Sequence, residues 1–206
     1  MRVMVAIPTF DGGIKPKTFE SVANIDRGEH DVSFRSISGY DCAKARTNIA
    51  DEMLERGFDA VLMVDSDVVV PHDALTLLDS WGEPVMLGYY AHHGSFAPPH
   101  GDGKTSICKP PSYHDQYTSA EIAEMRERGE FRVPIRGGGM GCALIRREAF
   151  ERTMFPWFRF VVYPDRHGVL SEDLFFCSQC REAGIDLYAD ARVGCGHMFR
   201  HIETMP

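Results

Sequence analysis

Short apolar runs alternate with helix-period segments along the first ninety residues. The runs 3–7, 60–64 and 85–90 are apolar throughout, and 32–37 alternates in polarity, as strands do. Apolar residues at steps of three and four predict helices over 17–25, between Asp41 and Gly57, and over 71–81. This alternation predicts a mostly parallel sheet with helices on both faces. Ligands of such sheets bind at the carboxyl ends of the strands.

The pattern changes over 91–118, which is rich in Gly, Pro and His and predicts a long functional loop. Thr118 and Glu121 then form a capping-box pattern for a helix that ends at Gly129, followed by an edge strand over 131–134. Further on we expect a strand over 142–145, a helix beginning within 146–150, and a helix over 172–183 capped by Ser171. A last strand is predicted over 185–188.

Composition narrows the class of protein. The chain has 206 residues, of which 44% are hydrophobic, and we interpret it as a single domain over 1–206. The net charge of −8 argues against a surface built wholly for nucleic acid. No apolar run approaches the ~18 residues of a membrane span. The six cysteines, without the dense spacing of a disulfide scaffold, predict free thiols and a cytoplasmic protein.

The clearest chemical signal is Asp65-Ser66-Asp67, directly after the apolar run 60–64. Two carboxylates at a strand end can hold Mg²⁺ or Mn²⁺, which prefer oxygen ligands and mask the charge of a diphosphate. Asp and Ser are also ordinary turn residues, so a simple turn is the alternative interpretation.

Several motifs in order resemble the glycosyltransferases of the GT-A fold, particularly family-2-like members and small soluble enzymes of bacterial or phage type. The matching elements are Ala6-Ile7-Pro8-Thr9, Ala45-Arg46-Thr47-Asn48, Asp65-Ser66-Asp67, the Gly137 to Gly141 cluster before Cys142-Ala143-Leu144-Ile145, Ser171-Glu172-Asp173, and Gly196-His197. The resemblance implies a GT-A, Rossmann-like α/β fold. It also implies transfer of a sugar from a nucleoside diphosphate, with UDP-sugar as the expected donor.

The resemblance implies a role for each matched residue on the donor side. Pro8, Thr9 and Asp11 would line the nucleoside pocket, Arg46 would approach the base or diphosphate, and Asp65 with Ser66 would contact the donor or support the site. Asp67 and His197 would bind Mn²⁺ or Mg²⁺. Gly138 and Gly139 would bring backbone amides near the donor sugar or phosphate, and a flexible connection is the alternative for this glycine run.

On the acceptor side, the resemblance makes Asp173 the candidate general base, with Glu172 holding the acceptor or bracing the loop. We favour an inverting reaction, although Asp-x-Asp with a late His also resembles retaining enzymes. Carboxylates at a helix N-terminus are also favoured by the helix dipole alone. Asp173, Phe176, Cys177 and Cys180 share one helical face, which predicts core packing for these cysteines rather than a zinc site.

Other functions remain open at this stage. A nucleotidyltransferase is suggested by the segment 12–17, and a non-catalytic sugar-nucleotide-binding subunit is the second alternative. The acceptor is not identified; a hydroxymethylated DNA base is one candidate, with the Arg126, Arg128, Arg132 and Arg136 segment as its phosphate contact. A solvated charged face is the alternative interpretation of that segment.

Overall fold

The computed structural model describes residues 1–91, 103–163 and 168–198. The strands are β1 (Arg2–Pro8), β2 (Asp31–Ile37), β3 (Ala60–Val64), β4 (Val68–Val69), β5 (Val85–Tyr89), β6 (Lys104–Cys108), β7 (Gln116–Thr118), β8 (Arg132–Ile135), β9 (Gly137–Gly138), β10 (Cys142–Arg146), β11 (Val161–Tyr163), β12 (Gly168–Leu170), β13 (Leu187–Gly194) and β14 (Gly196–His197). The helices are α1 (Pro16–Ala23), α2 (Cys42–Glu55), α3 (Ala74–Asp79), α4 (Ser119–Glu127), α5 (Arg147–Arg152) and α6 (Glu172–Glu182).

Seven strands form the central sheet, in the order β2-β1-β3-β10-β5-β13-β8. Strands β2, β1, β3, β5 and β13 run in one direction, whereas β10 and β8 run against their neighbours. The prediction of a mostly parallel sheet is therefore confirmed. Strand β10 lies between β3 and β5, so the glycine-rich segment before it reaches the sheet at the edge where β3 and β5 end.

Helices cover both faces of this sheet, as the alternation of elements predicts. Successive residues of β1 point to opposite faces: Met4 and Ala6 pack into one apolar layer, and Val3 and Val5 into the other. The first layer is completed by α2, α4, α5 and α6 through Met53, Ile122, Phe150 and Phe176. The second is completed by α1 and α3 through Val22, Leu75 and Leu78.

The predicted loop over 91–118 is wrong in its second part. Strand β6 pairs with β7 on one side and with β9 on the other. The three strands form a separate sheet. Ile107 and Cys108 of β6 are buried, although Gly, Pro and His surround them in sequence. The partner β9 lies about thirty residues further along the chain, so local composition could not reveal the pairing. His92, His93 and His100 lie outside the described residues, and His114 is exposed.

Other boundaries also differ. The helix predicted over 71–81 is limited to α3, and the strand predicted over 185–188 is β13, which begins later and runs further. The short strand β14 after it was not predicted. Strand β13 continues through a charged residue because buried Asp190 accepts hydrogen bonds from Trp81 Nε1 (2.7 Å) and Arg192 Nη2 (2.6 Å). A neutralised carboxylate is compatible with a core strand, whereas the sequence pattern alone marks it as a break.

The cysteines are free thiols, as predicted, and Cys177 and Cys180 pack in the core. The capping box is also confirmed: Thr118 Oγ1 accepts from Glu121 N (3.2 Å), and Thr118 N donates to Glu121 Oε2 (2.8 Å). Among the described helices, none is both long and apolar enough to cross a membrane.

The capping box generates a test of local stability. We expect Thr118→Ala to lower the free energy of unfolding by about 1 kcal/mol, because the first turn of α4 loses its N-cap acceptor. This corresponds to a decrease of about 2–4 °C in melting temperature. Urea unfolding measures the loss. Thr118→Ser keeps the hydroxyl and is the control; an equal loss in both variants would contradict the capping role.

Candidate active site

A cavity of about 610 Å³ lies where β1, β3 and β5 end and where α2 and α6 begin. The sequence-predicted residues that line it are Pro8, Thr9, Arg46, Asp65, Ser66, Asp67, Gly139, Glu172, Asp173 and His197. Segments distant in sequence meet here because strand ends and helix starts share one edge of the sheet, as expected for such folds.

Arg46 joins two of these segments. Its side chain is 4% exposed, and its guanidinium donates from Nη2 to Asp65 Oδ1 (2.6 Å) at the end of β3 and from Nη1 to Glu172 Oε1 at the start of α6. Both terminal nitrogens are therefore engaged within the protein. Arg46 thereby links the end of β3 to the start of α6, and its expected approach to the nucleotide stays a prediction.

Charge balance in this network is reflected in the pKa values of Arg46 and Glu172. Burial lowers the pKa of Arg46, but the neighbouring Asp65 and Glu172 carboxylates outweigh burial and raise it. Burial raises the pKa of Glu172, and the positive charge of Arg46 opposes that rise. Each buried charge thus depends on the other for its ionised form.

Asp67 and His197 meet because β14 pairs with β4, which directly follows Asp67. The His197 Nε2 atom lies 3.6 Å from Asp67 Oδ2. On the other side of the ring, Nδ1–H donates to the carbonyl oxygen of Ala91 (3.0 Å). Tyr90 packs edge-on against the ring, with centroids 5.0 Å apart. With Nδ1 held by the backbone carbonyl, the other ring nitrogen, Nε2, faces Asp67.

This donor pair suits a hard divalent cation. An imidazole nitrogen and a carboxylate oxygen 3.6 Å apart can bind one ion between them, and Mg²⁺ or Mn²⁺ takes its remaining ligands from phosphate oxygens and water. Among the described residues, no group of three or more His, Cys, Asp or Glu side chains is arranged so that it could hold a metal ion by itself. Burial lowers the pKa of His197, but its hydrogen bonds to Asp67 and Ala91 raise it above its usual value.

Asp173 occupies the first turn of α6 and also lines the cavity. Its Oδ1 atom accepts from Ser171 Oγ and from Leu174 N (2.8 Å), which fixes the plane of the carboxylate. Its Oδ2 atom lies 3.6 Å from the point where a Cβ on Gly139 would sit. Within the described residues, no donor bonds to that second oxygen. The carboxylate is therefore oriented by one oxygen and has the other directed along the cavity wall.

Two predicted donor contacts are not part of the cavity lining. Asp11 is exposed, and its Oδ1 accepts from Gly13 N (2.9 Å) in a local turn. Gly138 is buried in β9, opposite Ile107. Gly139 does line the cavity, but its N–H donates to the Ser106 carbonyl (3.0 Å) instead of facing a ligand. The expected amide cradle is thus used for pairing within the fold.

The structure adds lining residues that sequence reasoning missed. Tyr90 follows the end of β5, and its hydroxyl accepts from Gly141 N (3.2 Å) while lying only 2.2 Å from where a Cβ on Gly139 would be. Position 139 is therefore a glycine because a Cβ there would collide with the Tyr90 hydroxyl. Phe10 and Tyr40, 81% and 45% exposed, stand at the mouth of the cavity. Both residues come shortly after the end of a strand, and that position is the feature of the sequence from which they could have been predicted to line a site.

Two of the four arginines in the arginine-rich segment form ion pairs with glutamates. Arg128 donates to both carboxylate oxygens of Glu130 (3.0 Å each), and Arg132 Nη1 donates to Glu83 (2.6 Å). Arg126 is exposed on α4. These contacts fit the interpretation of a solvated charged face, and the DNA acceptor stays an untested expectation.

No protein-family model matches the chain, and no curated protein matches it in sequence. Among solved structures it is similar to A197 from STIV, with a TM-score of 0.65 at 20% identity over 97% of this chain and 87% of that chain. It is also similar to GalNAc-T7, crystallised with UDP, GalNAc and Mn²⁺, with a TM-score of 0.62 at 12% identity over 97% of this chain and 44% of that chain. These likenesses concern the fold: the chain has a GT-A-like fold, as the sequence predicted.

The Arg46 network generates a second test. We expect Arg46→Gln to cost about 3–5 kcal/mol, because two carboxylates near the core lose their counter-charge. The difference in the free energy of unfolding between the wild type and this variant should become smaller as pH falls from about 7 to 5. Protonation neutralises Glu172, whose pKa is already raised by burial, so less charge is left without a partner. Denaturant unfolding at several pH values measures both effects. Arg35→Gln, which breaks the exposed pair with Glu52, should cost at most about 1 kcal/mol; equal costs would contradict the bracing role.

Proposed function

We propose that this protein is a metal-dependent glycosyltransferase that moves a sugar from a nucleoside diphosphate donor to an acceptor hydroxyl. The observation that carries the proposal is the meeting, in one cavity, of the Asp67 and His197 donor pair with the oriented carboxylate of Asp173. The crystallisation of GalNAc-T7 with UDP, GalNAc and Mn²⁺ supports a UDP-sugar donor and Mn²⁺.

The nucleoside half of the donor fits the mouth of the cavity. Pro8 and Thr9 form the wall at the end of β1, and Phe10 and Tyr40 place two exposed aromatic rings beside it. The two segments are held together because Thr9 N donates to Ile37 O (2.8 Å). An aromatic ring at this position can stack on a nucleobase without reading its edges.

The diphosphate would lie next to Asp67 and His197. A divalent cation bound there supplies positive charge that favours departure of the diphosphate. Arg46 keeps the Asp65-Ser66-Asp67 segment in register with α6, so that the cation ligands and the base keep a fixed separation. Glu172 thereby acts as a brace for Arg46 and not as an acceptor contact.

Asp173 is the proposed general base. Its second oxygen takes the proton from the acceptor hydroxyl, and the hydroxyl oxygen forms a bond to the anomeric carbon as the bond from that carbon to the diphosphate oxygen breaks. The electron pair of the broken bond leaves with the nucleoside diphosphate. Attack from the face opposite the leaving group inverts the anomeric configuration.

The donor site is tested by thermal melting with UDP, GDP and UTP, each with and without Mn²⁺. We expect UDP with Mn²⁺ at about 100 times its Kd to raise the melting temperature by about 5–10 °C, because ligand binding stabilises only the folded state. Asp67→Asn and His197→Ala should lose the Mn²⁺-dependent part of this shift. His72→Ala, at an exposed position, is the matched control. No shift with any nucleotide would overturn the proposal.

The base is tested by release of UDP from a UDP-sugar. We expect Asp173→Asn to lower the rate by about 10²–10⁴-fold while the UDP-induced melting shift is retained, since the base acts in the chemical step only. Asp186→Asn, which changes an exposed carboxylate after α6, is the control and should turn over normally. Unchanged turnover in Asp173→Asn would exclude it as the base, and turnover absent from the wild type would favour a non-catalytic binding protein.

A further inference from the structure

One tyrosine hydroxyl of the cavity has a hydrogen that the fold does not use. Among the described residues, three tyrosines line the cavity: Tyr40, Tyr90 and Tyr113. Tyr40 lies exposed at the mouth, and the Tyr113 hydroxyl is buried in the protein. The Tyr90 hydroxyl accepts a hydrogen bond from Gly141 N (3.2 Å), and in the described part of the chain its own hydrogen has no acceptor. A tyrosine hydroxyl both accepts and donates, so Tyr90 keeps one donor for a ligand.

The glycine-rich segment leaves room for this hydroxyl. A Cβ on Gly139 would lie 2.2 Å from the Tyr90 oxygen, and a Cβ on Gly141 would lie 2.8 Å from it. A Cβ atom cannot approach an oxygen so closely, so a side chain at either position would displace the hydroxyl. This clearance gives two glycines of the 137–141 cluster a function that the expected amide cradle does not.

Tyr90 is held in place from several sides. Its backbone pairs with Ser106: Tyr90 N donates to Ser106 Oγ (3.3 Å), and Ser106 N donates to Tyr90 O (2.8 Å). Its ring packs edge-on against His197. Gly141, which donates to the hydroxyl, also accepts from Asp65 N through its carbonyl oxygen (3.1 Å). The hydroxyl is therefore positioned relative to the end of β3 before a ligand binds, which lowers the entropic cost of a contact.

Tyr90 extends from the proposed metal ligands toward the proposed base. Its ring centroid lies 5.0 Å from that of His197. At the other end, the Tyr90 oxygen and Asp173 Oδ2 lie 2.2 Å and 3.6 Å from the same point, the Cβ position of Gly139. These two distances together set the largest separation that the two oxygens can have, so a single ligand group lies within reach of both. A ligand between the cation and the base therefore lies beside the Tyr90 hydroxyl.

We propose that the Tyr90 hydroxyl donates a hydrogen bond to a hydroxyl of the transferred sugar and so determines which donor is accepted. This inference rests on the proposed function. In that reaction the anomeric carbon lies between the diphosphate, which the cation holds, and the acceptor oxygen, from which Asp173 takes the proton. The sugar ring then occupies the interval that Tyr90 spans. A site that bonds a sugar hydroxyl rejects the analogue that lacks it, because the protein donor is left unpaired.

The contact is tested by melting titrations, in the presence of Mn²⁺, with UDP, UDP-glucose and UDP-galactose. We expect Tyr90→Phe to weaken binding of the sugar nucleotide that the wild type prefers by about 10-fold, which corresponds to one hydrogen bond, and to leave the affinity for UDP unchanged. The phenylalanine keeps an aromatic ring against His197. Equal weakening of UDP and the sugar nucleotide would assign the hydroxyl a purely structural role through Gly141 and overturn the proposal, as would unchanged affinity for both.

The neighbouring tyrosine is the matched control. Tyr89→Phe removes a hydroxyl that donates to Ala191 O (3.4 Å) and that belongs to a residue outside the cavity lining, so both affinities should match those of the wild type. Gly139→Ala is a second test variant that keeps the tyrosine. Its added Cβ displaces the Tyr90 hydroxyl, so binding of the sugar nucleotide should weaken while binding of UDP is retained. Wild-type affinity for the sugar nucleotide in Gly139→Ala would contradict the contact.

Deoxy analogues of the preferred sugar nucleotide identify the hydroxyl that Tyr90 contacts. The wild type should bind one of the 2-, 3-, 4- and 6-deoxy analogues about 10-fold more weakly than the parent compound. Tyr90→Phe should bind that analogue and the parent equally, because the variant has lost the donor that distinguishes them. Discrimination that persists in Tyr90→Phe against every analogue would overturn the proposal.

The same titrations distinguish failure of this proposal from failure of the proposed function. A wild type that binds neither UDP nor a sugar nucleotide with Mn²⁺ has no donor site, which overturns both. Binding of UDP without binding of either sugar nucleotide would overturn the sugar contact and leave the nucleotide site. Sugar-nucleotide binding that is equal in the wild type and in Tyr90→Phe would overturn the sugar contact alone.

Discussion

The buried guanidinium of Arg46 is the interaction on which the site depends. It lies between a carboxylate at the end of a core strand and another at the start of a helix more than a hundred residues later. Glu172 is buried beside Arg46, which supplies its counter-charge, and Arg46 could not be buried without the two carboxylates. The same three side chains therefore hold the Asp65-Ser66-Asp67 segment and the start of α6 at a fixed separation.

Around this centre the cavity divides into ends of different chemistry. Exposed rings of Phe10 and Tyr40 mark one end, suited to a flat base. The middle is acidic and holds the imidazole of His197 through a backbone carbonyl and the Tyr90 ring. Tyr113 and Gln116 line a further part of the wall. The cavity therefore combines exposed aromatic rings with acidic side chains and one imidazole.

Much of the fold could be predicted from local sequence because β3 and β5 and most of β1 are apolar, and because the helix ends are marked by Asp41, Thr118, Gly57 and Gly184. Ligands of such sheets bind at the carboxyl ends of the strands, so side chains that follow a strand are expected to line the site. This rule identified Asp65-Ser66-Asp67, and it applies equally to Tyr90, which the sequence analysis did not name. Pairings such as β6 with β9 could not be predicted, since each strand is short and its partner distant. Nor could the sequence show that Arg46 is neutralised internally, because charge partners are set by tertiary packing.

The long sequence separation of the site's contacts has a kinetic consequence. The Arg46 and Glu172 contact spans 126 residues, and the His197 and Ala91 contact spans 106. Closing loops of this length costs chain entropy that only a largely formed sheet can repay, so these contacts belong to the late steps of folding. The segments that carry them, α6 and β14, also follow the rest of the site in the chain. A nascent or clipped chain that lacks them can pair β1 with β2 and β3 and still lack both contacts, which makes ligand binding a sensitive reporter of complete folding.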